Sequence, residues 1–278
     1  MQLFETRKDW RLIDQSQTIQ DKSPLYSFAM DDTLCHLVGQ LQSQPAIRTW
    51  CHKSSVVLGI QDHRLPFLQD GIDSLKAHNY EPIVRNSGGL AVVLDEGILN
   101  ISLILSEQQE KMSIDAGYEY MLSFIKMLFP EAAEKIEAYE IIGSYCPGTY
   151  DLSIDGKKFA GISQRRIRQG VAVQIYVCIE GSGAERAALI RSFYEISKKE
   201  VETKFTYPSI QPEVMASLSE LTNQDLSVQQ VMERIRTLMQ TYVNVEHSTE
   251  LKADETELLQ FYYQRIIERN EKMLEETN

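Results

Sequence analysis

The chain has 278 residues, is 43% hydrophobic and 24% charged, and carries a formal net charge of -12. That balance belongs to a globular chain with a substantial core, not to a disordered or fibrous one. The acidic excess, with a pI near 5.0, disfavours nucleic acid or an anionic membrane surface as the main partner, since both call for clustered cations. The start M-Q-L-F-E-T-R-K-D-W has no basic region followed by an apolar run, and no stretch approaches the ~20 apolar residues that cross a bilayer. A cytoplasmic protein is expected. The cysteines Cys35, Cys51, Cys146 and Cys178 show no C-x-x-C, and the histidines at 36, 52, 63, 78 and 247 show no metal-ligand spacing, so reduced thiols and no metal are expected.

In chain order, residues 1–24 are polar and close with Ser23-Pro24, leaving room for an edge strand at Trp10 to Ile13. From Ser27 to Leu41 the apolar residues fall at helical spacing, with Ser27 as the expected cap and Cys35 as packing. Strands follow at Ile47 to His52 and Ser55 to Ile60, then a helix at Leu68 to His78 and a strand at Tyr80 to Arg85. Ser87-Gly88-Gly89 breaks that strand before the next opens at Ala91 to Leu94. Paired glycines let a backbone approach a ligand closely, although an isolated pair is more often a tight turn. The segment matches neither a Walker A loop nor a G-x-G-x-x-G fingerprint.

Leu99 to Leu105 alternates as a strand, and Asp115 to Phe129 has the spacing of an amphipathic helix stopped by Pro130. Ile136 to Ile142 reads as a strand delivering the chain to Cys146. Pro147 and Gly148 hold that cysteine out of regular structure. The strand Tyr150 to Ile154 then ends at Asp155-Gly156, a strong hairpin signal, and the returning segment begins Lys157-Lys158-Phe159-Ala160-Gly161. The turn brings the lysines beside the strand fed by the cysteine loop, and a cationic neighbour favours the thiolate form of a thiol. Taken alone, the cysteine also reads as a small buried hydrophobe and the lysines as a solvated hairpin. Val171 to Ile179 is a further strand, Ala184 to Ser197 a helix, and 198–212 a linker before helices at Val228 to Tyr242 and Glu255 to Met273. These readings divide the chain into a strand-dominated unit at 1–200, catalytic on the resemblance described next, and a linker with a C-terminal helical region at 201–278.

Two motifs carry a resemblance. Arg85-x-Ser87-Gly88-Gly89-x-Ala91-Val92 resembles the acyl-binding loop of the lipoate-protein ligase and octanoyltransferase superfamily, and Asp155-Gly156-Lys157-Lys158-Phe159-Ala160-Gly161 resembles its Gly-x-Lys-x-x-Gly hairpin. The likeness runs from about Phe28 to the helix after Gly183. It implies an α/β (α+β) biotin/lipoate protein ligase-like fold, a mixed sheet flanked by helices, here with a C-terminal helical extension. The chain departs from the ligases where Val84 precedes Arg85, where Leu94 precedes Asp95, and where Cys146 stands ahead of the lysine hairpin. These departures resemble the Gram-positive subgroup that moves octanoate from the lysine of glycine cleavage H protein to lysines of lipoyl domains of 2-oxoacid dehydrogenases.

The resemblance implies Cys146 as nucleophile and Lys158 as its partner, lowering the thiol's proton affinity, holding the acyl carbonyl or relaying a proton. Arg85, Ser87, Gly88, Gly89, Leu90 and Gly161 would bind the acyl group, with Leu90 against its tail. It implies no cofactor and no ATP, since one amide is exchanged for another. An ATP-dependent lipoate or biotin ligase, and an octanoyltransferase drawing on acyl carrier protein, remain the alternatives. The Arg165-Arg166-x-Arg168 run would suit either acidic carrier, or a plain solvated loop.

Overall fold

A computed structural model describes residue 4 and residues 7–85, 88–108 and 111–275. In chain order the elements are β1 (Asp9–Gln15), α1 (Pro24–Gly39), β2 (Ala46–Trp50), β3 (Ser55–Leu58), α2 (Leu68–Ala77), β4 (Glu81–Val84), β5 (Val92–Leu94), β6 (Ile98–Ser106) and α3 (Ile114–Leu128). They continue with β7 (Glu137–Ala138), β8 (Asp151–Ile154), β9 (Lys157–Ile167), β10 (Gly170–Cys178), α4 (Gly183–Lys198), α5 (Leu218–Thr222), α6 (Val228–Tyr242), β11 (Asn244–Ser248) and α7 (Thr256–Glu275).

Eight strands form one mixed sheet in the order β11-β1-β2-β6-β10-β9-β8-β7, and β4-β3-β5 form a smaller one. Side chains alternate across a strand, so each face of the large sheet has its own core. On one face Ile13, Ile104 and Ala172 meet Met30, Leu34 and Val38 of α1 together with the small sheet. On the other, Leu12, Ile101, Leu103 and Val173 meet Phe124 of α3 and Ile235 of α6. The alternation also explains why β6, buried throughout, contains Asn100 and Ser102. Both belong to the α1 face, where they line a cavity.

The start of α1 differs from the expected one. Ser23 caps it, accepting from the Leu25 amide at 3.3 Å, and Pro24 occupies the first turn, where its fixed φ suits a helix. Ser27 is instead buried inside the helix, its Oγ 2.9 Å from His52 Nε2 and accepting from Arg48 Nη2 at 3.0 Å. Arg48 also donates to Asp31 Oδ1 at 2.8 Å, and Asp31 Oδ2 accepts from Ser102 at 2.6 Å and Gln174 at 2.7 Å. The Asp31–Arg48 pair is wholly buried and ties α1 to β2, β6 and β10.

The strand expected over 136–142 shrinks to β7. Beyond it the chain turns toward Asp151, with the Ile141 amide on that carboxylate at 3.3 Å and Ile142 left 83% exposed. The residues after 200 are not helical throughout: β11 pairs in parallel with β1, Asp9 opposite Asn244. Its sequence N-V-E-H-S is short, polar and exposed, which hides it from a hydrophobic pattern. Residues beyond 200 contribute to both cores, through Tyr262 and Ile266 on one face and Val231 and Ile235 on the other. A buried ion pair, Arg11–Glu255 at 2.5 Å, links the two ends of the chain. No helix among the described residues is long and apolar enough to cross a membrane.

Replacing Arg48 by Leu leaves Asp31 buried without its cation. Urea unfolding should record a loss of roughly 3–5 kcal/mol, and less for Arg48→Leu combined with Asp31→Asn. Burial, and then the charge of Arg48, pushes His52 down to about 4 from 6.5. The folded state therefore resists the proton that the unfolded chain accepts, and His52 supports stability above pH 6.5 but withdraws that support as pH falls toward 4. The melting-temperature gap between the wild type and a His52→Gln variant should narrow from pH 7 to pH 4.5.

Candidate active site

A cavity of about 350 Å³ lies between the α1 face of the large sheet and the small sheet. Cys146, Arg85, Gly88 and Gly89 stand along it, with Phe28, Trp50, Val57, Val92 and Leu94 among its apolar lining. Leu90, expected against an acyl tail, is not among the lining residues; its side chain packs toward the core.

Cys146 is half-buried on the loop between β7 and β8, at φ +45°, a left-handed backbone uncommon for a non-glycine residue. The hairpin holds that conformation. Asp155 and Gly156 form the two-residue turn at φ +51° and +75°, pairing Ile154 with Lys157. Between Leu152 and Ser153 the register shifts, so Leu152 faces Ala160 while Ser153 faces Lys158. The extra residue sends Phe159 and Ala160 consecutively into the α3-side core and turns Lys158 to the face carrying Asp151 and Gly161.

Lys158 is 0% exposed. Its Nζ donates to the carbonyls of Tyr145 and Cys146 at 2.9 Å each, lies 3.3 Å from Ser144 Oγ and pairs with Asp151 Oδ1 at 2.9 Å. Lys158 thus grips the backbone of the cysteine loop, while Lys157 faces solvent. Burial raises the proton affinity of the Asp151 carboxyl, and Lys158 opposes that effect.

The sulfur itself meets the other side of the cavity. The Leu90 amide lies 3.3 Å from Cys146 Sγ and Arg85 Nη2 lies 3.5 Å from it. Arg85 Nη2 also donates to the Leu90 carbonyl at 3.0 Å, while its buried Nε has no partner among the described residues. Gly89 is at φ +105°, and a Cβ there would fall 1.9 Å from Arg85 Nη2, so the approach to the sulfur requires glycine. Gly59 matters equally: a Cβ on it would sit 1.7 Å from the Gly89 carbonyl oxygen. Gly161 faces Tyr176, whose ring a Cβ would meet at 2.7 Å. Gly88 has open space around it, and Ser87 lies outside the described residues.

The structure therefore brings Cys146, Arg85, Gly89 and the Leu90 backbone together at one point and places Lys158 beneath the loop. Asp151, Ser144 and Gly59 escaped the sequence reading: a polar residue in an alternating strand looks solvent-facing, and a glycine at a strand end looks like any turn. The Arg165 to Arg168 run is largely committed within the fold, since Arg165 forks onto Asp32 at 2.9 and 3.2 Å and Arg166 pairs with Glu107 at 2.7 Å. Cys35, Cys51 and Cys178 are buried, and burial pushes the Cys35 and Cys178 thiols up to about 12.

The profile of the lipoyl protein ligase A/B catalytic domain matches residues 23–240. The chain is 64% identical over 266 residues, 96% of each protein, to an octanoyl-[GcvH]:protein N-octanoyltransferase of Lysinibacillus sphaericus. It is 48% identical, over 95% of each, to a lipoyl-[GcvH]:protein N-lipoyltransferase of Listeria monocytogenes. Among solved structures, a lipoate-protein ligase A bound with ATP superposes with a TM-score of 0.67 at 17% identity, covering 94% of this chain and 95% of that one. The bipartite lipoate protein ligase of Thermoplasma acidophilum gives a TM-score of 0.62 at 17% identity over 93% and 92%. Those structural likenesses speak for the fold, in keeping with the mixed sheet and flanking helices, and the sequence matches go further: the chain belongs to the lipoyl protein ligase A/B catalytic domain family.

Proposed function

We propose that this protein is an octanoyl-protein:protein N-octanoyltransferase that carries its acyl group as a thioester on Cys146. The donor is the octanoylated lysine of glycine cleavage H protein, and the acceptor is a lysine of a lipoyl domain of a 2-oxoacid dehydrogenase. The observation that carries this reading is a half-buried cysteine sulfur on an apolar cavity, contacted by a backbone amide and a guanidinium. The names of the relatives supply the donor.

In the first step the Cys146 sulfur attacks the octanoyl amide carbon, the C–N bond breaks, and the donor lysine leaves as an amine after taking a proton. In the second, the acceptor ε-amine attacks the thioester carbon, loses its proton, and the C–S bond breaks. The sulfur departs as thiolate onto the Leu90 amide and Arg85, which stabilise negative charge there. The charge of the same guanidinium, whose Nη2 stands beside the sulfur, also favours the oxygen that becomes negative in each tetrahedral intermediate. An acceptor lysine with an ordinary pKa of ~10.4 must shed a proton near neutrality. Among the described residues, Asp151, coupled to Lys158, is the carboxylate lining the cavity and the group suited to exchange it. Lys158 serves first by fixing the loop. Each apolar methylene of the tail buried against the lining contributes ~0.8 kcal/mol. No activated acid is formed, so ATP is not consumed.

Mixing the protein with octanoylated H protein, without ATP, should give an intact-mass adduct of one octanoyl group that hydroxylamine removes and that Cys146→Ala does not form. Acylation of a lipoyl domain from free acid and ATP, with no adduct in their absence, would overturn this in favour of a ligase. Octanoyl-acyl carrier protein as a more efficient donor would overturn the donor assignment alone. Lys158→Met should cost roughly 3–5 kcal/mol of stability, because it leaves Asp151 buried unpaired. At a temperature where that variant remains folded, adduct formation should still fall at least ~100-fold, since the cysteine loop loses its grip.

A further inference from the structure

The donors on the Cys146 sulfur belong to Arg85, just after β4, and Leu90, shortly before β5, at the two ends of the connection between those strands. What holds it is a buried polar chain behind the cavity. The Ala91 amide, next to Leu90, donates to Tyr194 Oη at 3.0 Å, and that hydroxyl donates to Asp62 Oδ1 at 2.9 Å. Asp62 Oδ2 accepts from the Gly59 amide at 2.7 Å, and the Asp62 amide returns to the Gly59 carbonyl at 3.0 Å. Gly59 is the residue whose Cα lies against the Gly89 carbonyl. One carboxylate and one phenol from α4 therefore fix both neighbours of the Gly88-Gly89-Leu90 segment, Ala91 on its C-terminal side and Gly59 across from Gly89. Asp62 is 0% exposed and Tyr194 4% exposed, and neither is among the residues lining the cavity. Around Asp62 stand Tyr194 of α4, Arg85 and, from the segment after α4, Tyr207, whose ring packs on Tyr194 at 5.4 Å.

Burying a carboxylate is costly unless bonds to it compensate. Two apolar side chains would fill the same volume, but could not fix the direction of two backbone amides. We propose that Asp62 and Tyr194 are positioning residues for acyl transfer: through Ala91 and Gly59 they hold the Leu90 amide and Arg85 on the Cys146 sulfur. The pair touches neither the sulfur nor the cavity. It rests on the reading of Cys146 as nucleophile, yet its effect is measurable on the thiol without any acyl substrate.

The test is Tyr194→Phe, which removes one oxygen and little volume. Its folding is checked by thermal melting, and Asp62→Asn serves as a second variant should the first be too unstable. Two quantities are read at pH 7.5: the rate constant for iodoacetamide alkylation of Cys146, followed by peptide mass, and kcat and KM for octanoyl transfer. Loss of one oriented hydrogen bond corresponds to about a tenfold effect. Alkylation and kcat should both fall by about that factor, with KM changing less than about twofold. A lowered melting temperature with alkylation and kcat unchanged would overturn the proposal, leaving the pair a support of the fold alone. A rise in KM with kcat unchanged would overturn it as well. If the wild type forms no octanoyl thioester, the nucleophile reading fails on that measurement, and the alkylation rates still decide whether Asp62 and Tyr194 set the environment of the thiol.

Discussion

A wholly buried ammonium holds the centre of this molecule. Lys158 brings a full positive charge into the protein, where desolvation is costly, and meets it with Asp151, two backbone carbonyls and the Ser144 hydroxyl. Those carbonyls belong to Tyr145 and Cys146, so the electrostatic need of the lysine and the conformation of the cysteine loop are one arrangement. The left-handed backbone at Cys146 is sustained because relaxing it would take acceptors away from a buried cation. The Lys158 carbonyl is in turn taken by the Ala216 amide at 3.0 Å, which anchors the hairpin to the residues after 200.

The cysteine loop is only half of the site. Its sulfur meets the backbone and guanidinium of a segment that belongs to the small sheet, so two separately built halves converge on a single atom. Each half is fixed by a buried carboxylate, Asp151 on one side and Asp62 on the other. Burial raises the proton affinity of both, to about 6 for Asp62, and both are retained through hydrogen bonds that organise backbone rather than surface. Within the second half, close packing depends on glycines at 59 and 89, where a Cβ would run into the Gly89 carbonyl or into the Arg85 guanidinium.

Much of this was legible in the sequence, because some signals are local. Asp155-Gly156 specifies its own turn, Cys146-Pro147-Gly148 specifies an irregular loop, and the alternation in β6 and the apolar run of β10 specify strands. The family motifs placed Arg85, Gly89, Cys146 and Lys158 in one neighbourhood. What stayed hidden was set by tertiary contacts. The register shift in the hairpin, which decides where Lys158 points, leaves no mark in composition, and so Lys158 was expected on the thiol rather than beneath its loop. Ser27 looked like a cap because the apolar period begins there; Arg48 and His52, distant in sequence, claim its hydroxyl. Leu90 was chosen for its side chain, whereas its amide is what reaches the sulfur. Asp62 and Tyr194 lie 132 residues apart, and nothing local pairs them.

The placement of β11 beside β1 has a consequence for how the chain is made. The outermost strand of the large sheet comes from near the end of the chain and pairs with the first strand, and the Arg11–Glu255 pair spans 244 residues. Contacts so distant in sequence form late and slowly. During synthesis β1 must wait with an open edge until residue 244 and its followers emerge, and an open edge invites pairing with other chains. A polypeptide halted before that point would hold every residue of the active-site loops yet leave β1 itself as the edge of the sheet. With the distal segment in place, the edge is instead a short, polar, exposed strand, the kind of edge that discourages pairing with other chains.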